Sequence, residues 1–129
     1  MAGPLQAPAP PCYAARMSAL NRHACEQLDR IRDVFGLSEH ELAALFRLQR
    51  QSVTEWRENG VPPARTASVE RLVDLANVFA REIIKTRIPE IVRTEDAWLP
   101  RKTILETIKS DGPEPVYGYL RRLFAYNGE

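Results

Sequence analysis

The chain has 129 residues, of which 44% are hydrophobic and 27% are charged, and its formal net charge is +1. A chain of this size can bury a hydrophobic core without disulfides or metal, and these values are ordinary for a globular domain. The near-neutral charge gives no global attraction to nucleic acid or membrane, and no stretch approaches the roughly 20 apolar residues that a membrane span needs.

Residues 1–17 form a proline- and alanine-rich tail. Because this tail has too few large apolar groups to offset the entropy of ordering, we expect it to be disordered, with Met17 a candidate start of the protein. The first helix is predicted from Ala19 to Phe35, since Leu20, Ala24, Leu28, Ile31 and Phe35 recur at three- and four-residue steps. Gly36 supplies the stop.

Two short helices follow with a short joint between them. The stretch Ser38-Glu39-His40-Glu41 has the pattern of a capping box and predicts a second helix from Glu39 to Phe46. A third helix is predicted from Arg50 to Glu58, ended by Asn59-Gly60. Since only residues 47–49 join them, the two helices must cross steeply, which is helix-turn-helix geometry.

A long fourth helix is predicted from Ala64 to Thr86. Its apolar positions form a stripe that is wider than one face of a helix: Val69, Leu72, Leu75, Ala76, Val78, Phe79, Ile83 and Ile84. A helix that is apolar over so much of its circumference packs on two sides, within the domain or against a second subunit. We therefore expect a homodimer.

The remaining elements are shorter. A turn of helix opens at Pro89, a loop over 96–102 is anchored by Trp98 and Leu99, a small helix spans 103–109, and a last helix spans 114–126. No alternating pattern indicates a strand. The predicted fold is therefore all-α: a helix-turn-helix region over 18–62, a long connecting helix over 63–87 and a carboxy-terminal region over 88–129.

No set of catalytic or metal-binding residues is apparent. His23 and His40 fall on different helices without metal-ligand spacing, and no glycine-rich phosphate loop occurs. We expect no enzymatic activity, no metal and no cofactor. Two cysteines without framework spacing do not indicate an oxidising compartment, so a cytoplasmic protein is expected.

The residues of the helix-turn-helix region resemble the repressor-type motif of the Xre family. The match lies in Glu41-Leu42-Ala43, Leu45-Phe46-Arg47-Leu48, Ser52-Val53, Trp56 and Asn59-Gly60. The family usually has glycine where this chain has Arg47, so Arg47 would carry strain in a positive-φ position, and Gln49 is a poor cap for the third helix.

The resemblance implies that the third helix recognises operator DNA. Its candidate DNA-binding residues are Gln49, Arg50, Gln51, Ser52, Thr54, Glu55 and Arg57. Glutamine can pair with adenine and arginine with guanine, while Ser52 and Arg57 would bind phosphates from the solvent side. The alternative is a compact packing unit whose polar residues are simply a solvated face.

The order and spacing from Leu20 to Tyr126 resemble the Xre/MbcA/ParS antitoxin family, through Arg93-Thr94, Asp96-Ala97-Trp98-Leu99, Thr103-Ile104-Leu105-Glu106 and the final helix. This resemblance implies a non-enzymatic antitoxin whose carboxy-terminal segment covers the active site of a RES-domain toxin, an NAD-degrading enzyme. The candidate toxin-binding residues are Arg93, Trp98, Arg121, Arg122, Tyr126, Asn127, Gly128 and Glu129.

Two alternatives remain open for this half of the chain. The named residues could form an ordinary solvated helix face with a frayed end. The whole protein could equally be a stand-alone helix-turn-helix transcriptional regulator whose second half dimerises or senses a ligand.

Overall fold

The computed structural model describes residues 19–99 and 102–128. In this part of the chain the predicted all-α class is confirmed, with seven α-helices and no strand. The helices are α1 (Ala19–Phe35), α2 (Glu39–Leu45), α3 (Arg50–Asn59), α4 (Thr66–Glu82), α5 (Ile88–Val92), α6 (Ile104–Asp111) and α7 (Glu114–Gly128). The predicted disordered tail over 1–17 lies outside the described residues.

Helix α1 is central to the packing and contacts α3, α4 and α5. The predicted stripe is buried at Ala24, Leu28, Ile31 and Phe35. The ring of Phe35 meets that of Phe79 on α4 edge to face, with centroids 5.2 Å apart. Gly36 ends the helix at φ +68°, and a Cβ there would lie 2.7 Å from Cγ of Pro89, so the position requires glycine on two counts.

Helices α2 and α3 follow each other with residues 46–49 between them, and they pack together. Ser38 Oγ accepts from the Glu41 amide at 3.1 Å, and the Glu41 carboxylate accepts from the Ser38 amide at 3.0 Å, which confirms the capping box. Gln49 gives α3 no side-chain cap. The inward residues of α3 are Val53 and Trp56, and the Trp56 ring lies 5.3 Å from that of Phe46.

The prediction of one continuous helix from Ala64 to Thr86 is wrong. A 3-10 turn spans Pro63–Arg65, α4 ends at Glu82, and a second 3-10 turn spans Lys85–Arg87. Ile83 is extended at φ −125°, ψ 142°, a conformation that suits its β-branched side chain. The bend directs the chain back so that Ile88 and Val92 of α5 enter the core, and it leaves Ile84 69% exposed.

The carboxy-terminal helices pack on the same core. Helix α6 contacts α2, α5 and α7, and it begins with a second capping box, between Thr103 and Glu106, that the sequence analysis missed. The α7 residues Val116 and Leu120 are buried. The loop between α5 and α6 closes through a hydrogen bond from the Asp96 amide to the Lys102 carbonyl. Of its two predicted anchors, Leu99 is buried and Trp98 is not.

Candidate interaction surfaces

The outward face of α3 carries most of the predicted DNA-binding residues. Gln49, Arg50, Gln51, Thr54 and Glu55 are exposed, and Ser52 is half-buried. Thr54 donates to the Arg50 carbonyl, whereas no side chain in the described residues pairs with the Arg50 guanidinium. Since Glu58 is exposed as well, one cation and two acids share this face, which limits its attraction to phosphate.

The prediction that Arg57 lies on the solvent side of α3 is wrong. Its side chain is only 7% exposed and bonds to two acids. Nη1 lies 2.7 Å from Asp29 of α1, while Nη2 and Nε lie 2.9 Å and 3.3 Å from the two carboxylate oxygens of Glu39. Arg57 follows the buried Val53 by four residues and therefore shares its face. It joins α1, α2 and α3 and is not positioned to bind phosphate.

A second arginine completes this charged cluster. Arg32 lies 3.2 Å from Asp29, 3.0 Å from Asp33 and 3.1 Å from Glu39. Burial alone would raise the pKa of the Glu39 carboxyl, but hydrogen bonds from Arg57 and Arg32 outweigh it and hold that pKa below its ordinary value. We call Asp29, Arg32, Glu39 and Arg57 the charged cluster.

The turn between α2 and α3 is tied to the carboxy-terminal half. Arg47 has φ +60°, as predicted from its place in the turn, and this left-handed conformation costs about 1–2 kcal/mol for a residue with a Cβ. Its guanidinium donates to the carbonyls of Lys109 at 2.7 Å and Ser110 at 2.8 Å. These carbonyls lie in the last turn of α6, where a cation is favoured. No sequence pattern indicates this long-range contact.

Trp98 and Arg122 form an exposed pair at the surface of the carboxy-terminal half. The Trp98 side chain is 60% exposed, and the Arg122 guanidinium stacks on its ring, 4.7 Å from the centroid. A groove of about 340 Å³ adjoins the pair. Its other lining residues are Leu99, Lys102, Thr107, Asp111, Pro115, Gly118 and Tyr119. We call Trp98, Arg122 and this groove the Trp98 face.

Asp96 holds the loop that presents Trp98. One carboxylate oxygen accepts from the Trp98 amide at 2.9 Å, and the other accepts from the Tyr119 hydroxyl at 3.2 Å. Burial raises the pKa of the Tyr119 hydroxyl, and the charge of Asp96 raises it further. The first contact orders the loop internally and the second ties it to α7, so the backbone that carries the exposed tryptophan is held in place.

The other predicted toxin-binding residues divide into three groups. Arg93 is engaged within the molecule: its guanidinium donates to the carbonyls of Phe35, Gly36 and Pro89 and to the Glu41 carboxylate. Arg121 is exposed on α7, with no hydrogen bond or ion pair to a described residue. The backbone of Gly128 ends α7, whereas the side chains of Tyr126 and Asn127 and the whole of Glu129 lie outside the described part of the chain.

Among the described residues, no group of histidine, cysteine, aspartate and glutamate side chains could hold a metal ion, and no helix has the length and apolar character to cross a membrane. Comparisons of the chain with protein-family models, with characterised proteins and with solved structures find no match.

Proposed function

We propose that this protein is the antitoxin of a type II toxin–antitoxin system. In this proposal its carboxy-terminal half binds a RES-domain toxin and covers the active site, while α3 binds operator DNA in the cytoplasm. The proposal draws on the resemblance to the Xre/MbcA/ParS family over Leu20 to Tyr126. The observation that carries it is the exposed Trp98, with Arg122 stacked on its ring.

A tryptophan that is 60% exposed leaves a large apolar area in contact with water. Folding of the chain does not bury this area. Tryptophan and arginine dominate the energetics of protein–protein interfaces. Arg122 shields one face of the ring and Asp96 fixes the loop, so little conformational entropy remains to be lost on binding. The adjoining groove offers a concave surface for a partner side chain. These features support a protein-binding role for the Trp98 face.

Co-expression with a RES-domain toxin tests the partner. We expect the wild-type chain to co-purify with the toxin and to restore growth of cells that express it. Trp98→Ala is expected to weaken the complex by about 2 kcal/mol or more, because it removes the apolar anchor. Arg81→Ala is the control, since Arg81 is exposed on α4 and, among the described residues, pairs with its neighbour Glu82 alone.

Failure of the wild-type chain to bind any RES-domain toxin would reject the antitoxin proposal. Equal affinity of the Trp98→Ala and Arg81→Ala variants would instead show that the toxin binds elsewhere. A retained native circular dichroism spectrum for each variant separates loss of binding from loss of folding.

Operator binding rests on the exposed polar side chains of α3. Arg50→Ala is expected to weaken binding to the operator by about 1–3 kcal/mol if Arg50 reads a base, with Arg81→Ala again the control. Because Glu55 and Glu58 lie on the same helix, we expect a shallow dependence of affinity on salt concentration. Unchanged operator affinity in Arg50→Ala would remove Arg50 from the contact residues.

A stand-alone transcriptional regulator is the second candidate. A cavity lined by the α2–α3 turn and by the carboxy-terminal half favours it, because a ligand there would contact both halves. The homodimer also belongs to the proposal and has support in exposed Ile84 and in half-buried Val73 and Val78 on α4. Light scattering at micromolar concentration tests it, and a monomer would contradict it.

A further inference from the structure

A second concave site lies beside the turn between α2 and α3, and of its lining residues only Asp111 also lines the Trp98 face. It is a cavity of about 320 Å³, at the lower end of the range for small-molecule pockets. Three parts of the chain meet there: the turn between α2 and α3, the start of α4, and the corner between α6 and α7. Its basic lining residues are Arg47, Arg65, Arg71 and Lys109.

The charges around the cavity favour an anion. Four basic side chains face two acids, Asp111 and Glu114. Both acids already have partners, because Asp111 lies 3.5 Å from Lys102 and Glu114 lies 2.6 Å from Arg71. A backbone hydrogen bond holds the pKa of Glu114 below its ordinary value, and the hydrogen bond from Arg71 lowers it further, so this carboxylate is charged at neutral pH.

Several hydrogen-bond donors on the lining residues are not used within the described part of the chain. Arg47 donates from Nε and Nη2 to the carbonyls of Lys109 and Ser110, and Arg65 donates from Nη1 to the Phe46 carbonyl at 3.2 Å. Arg47 Nη1 and Arg65 Nη2 therefore remain available, as do the Lys109 ammonium and the Ser68 hydroxyl. Donors from three separate elements suit an anion with several oxygens.

The base of the cavity is apolar. Leu45, Phe46, Leu72 and Ile108 line it and are almost fully buried, and Pro113 forms part of the wall. Because these side chains are almost fully buried, they offer little apolar surface to a ligand. Binding must therefore come from the charged donors around them, which suits a small, strongly charged anion.

We propose that the cavity lined by Arg47, Arg65 and Lys109 binds a small phosphate anion, either inorganic phosphate or the phosphate group of a monoester. The phosphate lies among the basic side chains and accepts hydrogen bonds from Arg47 Nη1, Arg65 Nη2 and the Lys109 ammonium. The occupied site joins the α2–α3 turn to α6, so the ligand stabilises the contact between the two halves. This site does not depend on the antitoxin proposal.

The test is a titration of the full chain with adenosine monophosphate and, separately, with inorganic phosphate, followed by calorimetry and by backbone amide NMR. We expect inorganic phosphate to bind and to shift amide signals at residues 46–47, 65–68 and 108–112, and tighter binding of adenosine monophosphate would show that the natural source is a phosphate monoester. Lys109→Met and Ser68→Ala should each weaken phosphate binding, Lys109→Met by about ten-fold or more. Neither side chain makes a hydrogen bond within the described residues, so both variants should fold.

Arg81→Gln is the matched control, because it removes an exposed arginine on α4 outside the cavity, and its affinity should equal the wild type. The proposal is overturned if neither probe binds at millimolar concentration, or if the Lys109→Met and control variants bind equally. It is also overturned if only duplex DNA perturbs these amides, since the basic side chains would then belong to the operator surface.

Discussion

The two tryptophans of the chain are used in opposite ways, and each has an arginine beside it. In the helix-turn-helix half, Trp56 is 7% exposed and packs on Phe46, while its neighbour Arg57 is enclosed by two acids. In the carboxy-terminal half, Trp98 is 60% exposed and its partner Arg122 lies over its ring in solvent. The same two residue types hold one region together and remain available for a partner in the other.

This contrast shows which of the two arginines stabilises the folded state. The charged cluster satisfies the buried guanidinium of Arg57 with carboxylates from α1 and α2, and such a group is costly to leave unpaired. Arg122 makes no hydrogen bond or ion pair with a described residue; it is exposed and stacks on a ring that is itself exposed. We therefore expect substitutions at the two arginines to separate stability from binding.

The largest expected effect on stability is at Arg57. Arg57→Met keeps the length of the side chain but leaves Asp29 and Glu39 with Arg32 as their shared partner, so we expect a loss of about 3 kcal/mol in the free energy of unfolding. Arg122→Met is the matched substitution in the other half. Since an exposed cation–π contact contributes about 0.5–1 kcal/mol, its loss should stay within that range.

Urea unfolding monitored by circular dichroism measures both variants. Equal losses at the two arginines would contradict the contrast between the halves. Wild-type stability of Arg57→Met would show that the charged cluster does not hold α1, α2 and α3 together.

The charged cluster also predicts a dependence of stability on acid. The pKa of Glu39 is lower in the folded protein than its ordinary value of 4.5, so the unfolded chain takes up a proton at Glu39 before the folded protein does. The stabilisation is fully present above the ordinary value and is lost as the pH falls through the folded pKa. Stability should therefore fall with pH below about 4.5, and the slope should be reduced in Glu39→Gln.

Thermal unfolding between pH 3 and 7 measures this slope. Glu55→Gln is the control, because Glu55 is exposed on α3 and pairs with no described residue. Parallel curves for wild type and Glu39→Gln would remove Glu39 as a source of the acid sensitivity. Glu41, whose pKa is lowered by the Ser38 amide and by Arg93, and Glu114, whose pKa is also lowered, contribute to the slope that remains.

Periodicity and caps predicted the helices well, because both are local. The stripe of α1 and the capping box at Ser38 fixed the bounds of the first helices. The failure at α4 has a physical reason: a helical wheel accepts Ile83 and Ile84 as apolar positions, but the chain gains more by bending there to bury Ile88 and Val92.

The surfaces were harder to predict, because they depend on contacts between distant residues. The charge of Arg57 favours an exposed side chain, whereas its four-residue spacing from Val53 places it on the buried face of the helix. Asp29 and Glu39, which make that burial possible, lie on other helices. Trp98 lies in a loop without periodicity, so nothing in the pattern could distinguish an anchor from an exposed side chain.

A smaller effect is expected at the two capping boxes, one in each half. Ser38→Ala and Thr103→Ala each remove the acceptor for an amide in a first helical turn and should cost about 1 kcal/mol. Because α6 packs on α2, we expect both losses to appear in a single unfolding transition. A separate early transition in Thr103→Ala, absent in Ser38→Ala, would show that the carboxy-terminal half unfolds independently.

The smallest net effect is expected at Arg47, where two terms oppose each other. Arg47→Gly relieves a left-handed conformation that costs about 1–2 kcal/mol, but it removes both hydrogen bonds to the end of α6, each with a charged donor. The free energy of unfolding should therefore change by less than about 1 kcal/mol. Relative to wild type, amide hydrogen exchange should accelerate more in α6 than in α1. Arg47→Lys keeps the strained turn and cannot make both bonds, so it should be less stable than Arg47→Gly. If Arg47→Gly were clearly more stable than wild type and exchange in α6 were unchanged, the arginine would contribute nothing to the link between the two halves.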